Sequence, residues 1–176
     1  MIFERKKPKV RYFAYAILLL LCFLLQVTPG VLELWGVKPI LVVPAAVCIA
    51  MEEPVLPASV FGMAAGLLWD FTAGTVFGYH ALLWLLFCAA VSLSVTFYLS
   101  RHWFNRFLLC FGALLLDGVI KTAFSALIWQ EPGTWSFWMS QLLPAAGYTV
   151  FWCFPIGSLI RRISVFFHRS GGLDTQ

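Results

Sequence analysis

Long apolar runs alternate with short polar breaks along this chain of 176 residues. A helix that crosses a bilayer needs about 20 mostly apolar residues, within a range of roughly 17–25. Six segments are read as spans, the second of them short: 11–28, 37–51, 54–71, 78–99, 104–128 and 137–162. Pro39 and Pro44 lie in the second, and Pro54 and Pro57 open the third. Proline is tolerated near a helix start because the N–H it lacks has no partner there. Pro144 and Pro155 fall inside the sixth segment and predict kinks that neighbouring helices absorb. Glu52-Glu53-Pro54 interrupts the apolar pattern and reads as a turn at the membrane surface. The stretch 37–71 also fits a single re-entrant hairpin, which would leave five spans. The pattern predicts an all-α, polytopic membrane helix bundle forming one domain over 1–176.

Composition excludes an ordinary soluble domain. Hydrophobic residues make up 61% and charged residues 11%, against about 25% charged in soluble domains. Mean hydropathy is +0.88. Phe (17) and Trp (8) are abundant, as where rings meet lipid and headgroups. The net charge is +4, and its placement matters more than its size. Arg5, Lys6, Lys7, Lys9, Arg11, Arg101, Arg106, Arg161, Arg162 and Arg169 fall at one set of span ends, leaving only Lys38 and Lys121 elsewhere. Such a bias orients spans with the basic ends in the cytoplasm, which places both termini inside and speaks against nucleic acid as the partner. Trp35 and the stretch from Trp129 to Trp138 read as aromatic belts on the opposite side. The basic N-terminus resembles a signal peptide, yet no small-x-small cleavage site follows, and Leu21 rather than a small residue precedes Cys22. The segment reads as a retained first span. Five cysteines (Cys22, Cys48, Cys88, Cys110 and Cys153) lie scattered in apolar runs without a C-x-x-C pair, which suits small buried apolar residues.

Ionisable groups within a membrane are costly and carry functional hypotheses. Asp70 ends the third span. It reads as a polar helix end at the interface, as a hydrogen-bonding partner of the loop Thr72 to Gly78, or as a group for ligand or proton work. Asp117 and Lys121 stand four apart in the fifth span and share a helix face. They fit an internal ion pair, a polar anchor to a neighbouring helix or partner, or a proton or ion path. His80 opens the fourth span as an interfacial hydrogen-bonding residue. Gly62 and Gly66 form a G-x-x-x-G that favours close helix packing. Gly74 and Gly78 bracket the following turn and supply backbone freedom. No H-E-x-x-H, G-x-S-x-G or phosphate-binding loop occurs. The residues predict no catalysis, no cofactor and no metal.

The stretch 38–81 carries a resemblance. Lys38-Pro39-Ile40-Leu41, Glu53-Pro54, Gly62-x-x-x-Gly66-Leu67-Leu68-x-Asp70 and Gly74-x-x-x-Gly78-x-His80-Ala81 resemble the rod shape-determining protein MreD family. Chain length and span number agree with that family, whereas Asp117 and Lys121 match none of its motifs. The resemblance implies a bacterial cytoplasmic-membrane protein of the cell-elongation machinery, with no catalytic activity. It implies as partners MreC, the actin-like MreB filament, a RodA-type SEDS glycosyltransferase and a class B penicillin-binding transpeptidase. It also implies a fold similar to the substrate-binding S components of vitamin transporters.

Two functions follow as expectations. The first is a scaffold of the rod complex that organises peptidoglycan synthesis and maintains cell shape. The second is an S component for a vitamin or metal, which needs converging polar groups near one surface. Asp70, Tyr79, His80, Trp129, Gln130 and Gln141 are the residues available for such a pocket.

Overall fold

The computed structural model describes residues 8–28, 39–73, 77–98, 102–129 and 143–169. Regular structure among them is entirely helical: α1 (Pro8–Val27), α2 (Val42–Glu52), α3 (Val55–Ala73), α4 (Tyr79–Phe97), α5 (Trp103–Trp129) and α6 (Leu143–Arg169). Five of these, all but α2, are long and apolar enough to cross a membrane. Their apolar residues divide by position rather than by polarity. Along α1, Phe13, Ile17, Leu20, Leu21 and Leu24 face outward, while Tyr15, Leu18, Leu19 and Cys22 are buried. Both sets keep the helical repeat, and the outward set suits lipid contact.

The second predicted span departs from expectation. Helix begins only at Val42 and lasts 11 residues, which at about 1.5 Å per residue covers roughly half of a hydrocarbon core about 30 Å thick. Every residue of α2 is buried, as expected of a helix that is apolar all round. Pro44 sits in its first turn, where a missing N–H costs nothing. The residues before α2 are not helical, and their backbone donors need other acceptors. Ile40 N–H donates to Thr149 Oγ1 at 3.0 Å, and Val42 N–H donates to Gln26 Oε1 at 3.2 Å. Irregular backbone at membrane depth is tolerated where protein covers it in this way.

Two ion pairs fix the directions of the helices. Arg11 near the start of α1 pairs with Glu53, just before α3. Arg106 near the start of α5 pairs with Glu52, the last residue of α2. Arg106 Nη1 also donates to the carbonyl of Gly157 on α6 at 2.9 Å. Helices α1, α3 and α5 therefore start at one end of the bundle, and α2 and α6 run toward it. Ser92 Oγ on α4 donates to the Glu53 carbonyl at 2.8 Å, so α4 also descends to this end. Among the described residues, five helices are long enough to cross and α2 is a shorter, buried helix running alongside them.

Among the described residues the α3–α4 pair is the most extensively packed, and its glycines explain why. A Cβ on Gly62 would lie 2.5 Å from the Trp84 carbonyl oxygen and 2.7 Å from Cys88 Cβ. A Cβ on Gly66 would overlap the His80 carbonyl. The G-x-x-x-G face is thus occupied inside the chain, by α4.

Candidate functional site

Two polar centres lie toward opposite ends of the bundle. At the basic end, Arg11 Nη2 donates to Glu53 Oε2 at 2.7 Å, and Arg106 Nη2 bonds Glu52 Oε1. All four side chains are buried. Two cations and two anions give this centre no net charge, which limits the cost of holding it away from water. The chain does turn at Glu52-Glu53, between α2 and α3, but the adjacent carboxylates are buried and point to two different helices. Arg11 and Arg106, expected among the solvent-side basic residues, are buried as well. Sequence reasoning missed these pairings. The available signal was depth, since each arginine stands four residues into its helix and needs an anion there.

At the far end, Asp70 on α3 receives the N-terminus of α4. Its Oδ2 accepts from Gly78 N–H at 2.9 Å and Ala81 N–H at 3.4 Å. Its Oδ1 accepts from His80 N–H at 3.2 Å and lies 2.7 Å from His80 Nδ1. A carboxylate is well suited to a helix N-terminus, where free N–H groups and the helix dipole favour negative charge. Gly78, the N-cap residue, has a φ of 93° and no side chain to cap with, so Asp70 takes that role from another helix. The left-handed conformation is open to glycine at little cost.

His80 extends this centre to a third helix. Its Nε2 lies 3.6 Å from Asp117 Oδ1 on α5. The imidazole is fully buried, stacks on Trp69 at 5.5 Å and meets Tyr79 edge-on at 4.9 Å. A histidine flanked by a carboxylate at each ring nitrogen ties α3, α4 and α5 together. Chemically, the arrangement holds a helix end. Asp70 has both oxygens turned to α4.

The predicted site residues thus divide. Asp70, Gly78, His80 and Asp117 converge on one centre, while Gly62 and Gly66 serve the α3–α4 contact. Gly74 lies outside the described residues. Lys121 belongs to α5, but its side chain lies outside the described residues, and with it the expected pairing to Asp117. The aromatic stretch after Trp129, with Gln130 and Gln141, also lies outside them. Three of the cysteines, Cys48, Cys110 and Cys153, come together from three helices, which their scattered sequence positions did not suggest.

Against known families, the model of the rod shape-determining protein MreD matches residues 6–161. No curated protein and no solved structure matches.

Proposed function

The chain belongs to the rod shape-determining protein MreD family, and on that premise we propose that it is a non-catalytic membrane scaffold of the cell-elongation complex. It is a multi-pass membrane protein, with five helices long and apolar enough to cross a bilayer. In this reading both termini face the cytoplasm. The bundle organises peptidoglycan synthesis by contact with MreC, the MreB filament, a RodA-type SEDS glycosyltransferase and a class B transpeptidase.

The observation that carries the reading is the direction of the charged groups. Arg11–Glu53, Arg106–Glu52 and Asp70–His80 each join one helix to another inside the bundle. Large apolar side chains such as Leu86, Phe111 and Phe151 face outward. Internal polar ties make a rigid body, and outward apolar faces suit partner helices in lipid, where packing and small polar contacts drive association. The S-component reading draws no support from Asp70 and His80, because they bond each other and the start of α4.

Photo-crosslinking in the native bacterium tests the proposal. Reactive residues placed at Leu86, Phe111 and Phe151 should trap MreC or the glycosyltransferase–transpeptidase pair from at least one face. Adducts to lipid alone from all three faces would contradict it.

A further inference from the structure

Helices α2, α5 and α6 meet in two stacked layers. The first contains Glu52, Arg106 and the Gly157 carbonyl. The second contains Cys48, Cys110 and Cys153. Each cysteine stands four positions from a member of the ionic layer on its own helix: Cys48 from Glu52, Cys110 from Arg106, and Cys153 from Gly157. Four residues return to the same helix face one turn along, so the geometry that aligns the ion pair also aligns the thiols. Gly157 adjoins both layers, since a Cβ there would lie 3.2 Å from Arg106 Nη1 and 3.2 Å from Cys48 Sγ.

The three thiols are buried and unoxidised. Cys110 Sγ lies 3.2 Å and Cys48 Sγ 3.9 Å from Cys153 Sγ, and all three sulfurs fall within 4.8 Å of one another. Three sulfurs placed trigonally around an ion at a bond length of about 2.3 Å stand about 4.0 Å apart. The Cys48–Cys153 separation of 3.9 Å already meets that value, and the Cys110–Cys153 pair at 3.2 Å would spread by about 0.8 Å to reach it.

We infer that Cys48, Cys110 and Cys153 form a three-sulfur site for a soft monovalent cation of the Cu(I) class. Thiolates select soft ions, whereas structural zinc takes four ligands in a tetrahedron. The donor group here has three members, with neither imidazole nor carboxylate among them. Binding is ligand exchange without a change of oxidation state. Cu(I) displaces protons from two thiols, takes the third sulfur as a neutral donor, and leaves one net negative charge. Cu(I) gives up its acetonitrile ligands and the two displaced protons go to the buffer, while the Arg106 guanidinium stands one helical turn away. Cys22 on α1 and Cys88 on α4 lie outside the group and serve as internal controls.

The test uses the full chain, purified in detergent under anaerobic reducing conditions and titrated with Cu(I)–acetonitrile against a chromophoric Cu(I) chelator. The wild type should retain one Cu(I) per chain. Cys48→Ser, Cys110→Ser and Cys153→Ser should each lose this retention, while Cys22→Ser and Cys88→Ser keep it. X-ray absorption at the copper edge of the wild type should show a shell of three sulfurs at about 2.3 Å, a readout that does not depend on any variant folding. No retained copper, a shell of fewer than three sulfurs, or retention unchanged in Cys153→Ser would overturn the site. So would a Cys110–Cys153 disulfide in protein isolated under these conditions.

Discussion

Asp70 directs both carboxylate oxygens to the first turn of α4. Replacing it with Asn keeps the size but removes the charge that matches three N–H groups and a histidine. Hydrogen bonds to charged groups contribute about 1.5–3 kcal/mol each, so Asp70→Asn should lower the thermal unfolding midpoint of the purified protein, and Asp70→Ala should lower it further. The basic end allows a sharper comparison. Removing one partner of a buried ion pair typically costs about 3–5 kcal/mol, while replacing both with apolar residues is often neutral. Arg11→Met should therefore destabilise the bundle strongly, and Arg11→Met with Glu53→Leu should recover most of the loss, as read by a double-mutant cycle on thermal unfolding. At this scale the sequence was half legible. Asp70 and Gly78 stand close in sequence, so a bond from Asp70 to the loop ending at Gly78 was among the readings, while its contact with His80 was not. Arg11 and Glu53 are 42 positions apart, and Arg106 and Glu52 are 54. Nothing local joins such residues, and charge near a helix end looked like orientation rather than pairing.

Among the elements, α2 was read least well. A run of apolar residues from Val42 to Met51 has the same hydropathy whether it spans a bilayer or sits buried inside a bundle. Only its 11-residue length and its complete burial separate the two. Its non-helical lead depends on side chains from α1 and α6. Thr149→Val should leave the Ile40 N–H without its acceptor and cost about 1–3 kcal/mol, seen as faster proteolysis near the start of α2. The glycine pattern, by contrast, was visible beforehand, because small residues at a four-residue spacing have one common use in a membrane. What sequence could not choose was the occupant of that face, which proves to be α4. Gly66→Ala should therefore disrupt folding, since its methyl would overlap the His80 carbonyl. Gly112→Ala on α5 is the matched control. Its added Cβ meets nothing within 4 Å, and helix propensity favours alanine by up to about 1 kcal/mol. A stability ranking with Gly66→Ala well below wild type and Gly112→Ala at or above it would match this packing.

For the molecule as a whole, the two ion pairs and the Arg106–Gly157 bond set the start of α1 and the end of α6 toward the same end of the bundle. The apolar runs of the sequence predicted six segments, and five of the helices are long and apolar enough to cross a membrane, with α2 shorter. The all-helical bundle was legible because long apolar runs mark spans directly, whereas the length of α2 was not. The central claim is that this rigid bundle works by holding the elongation complex together, and depletion of the protein in its native bacterium, with imaging of cell shape and co-isolation of MreC with the transpeptidase, tests it most directly. The account predicts rods that round up as MreC and the transpeptidase cease to co-isolate, with shape restored by wild type and by Gly112→Ala but not by Gly66→Ala. Cells that keep their rod shape while losing uptake of a vitamin or metal would contradict it.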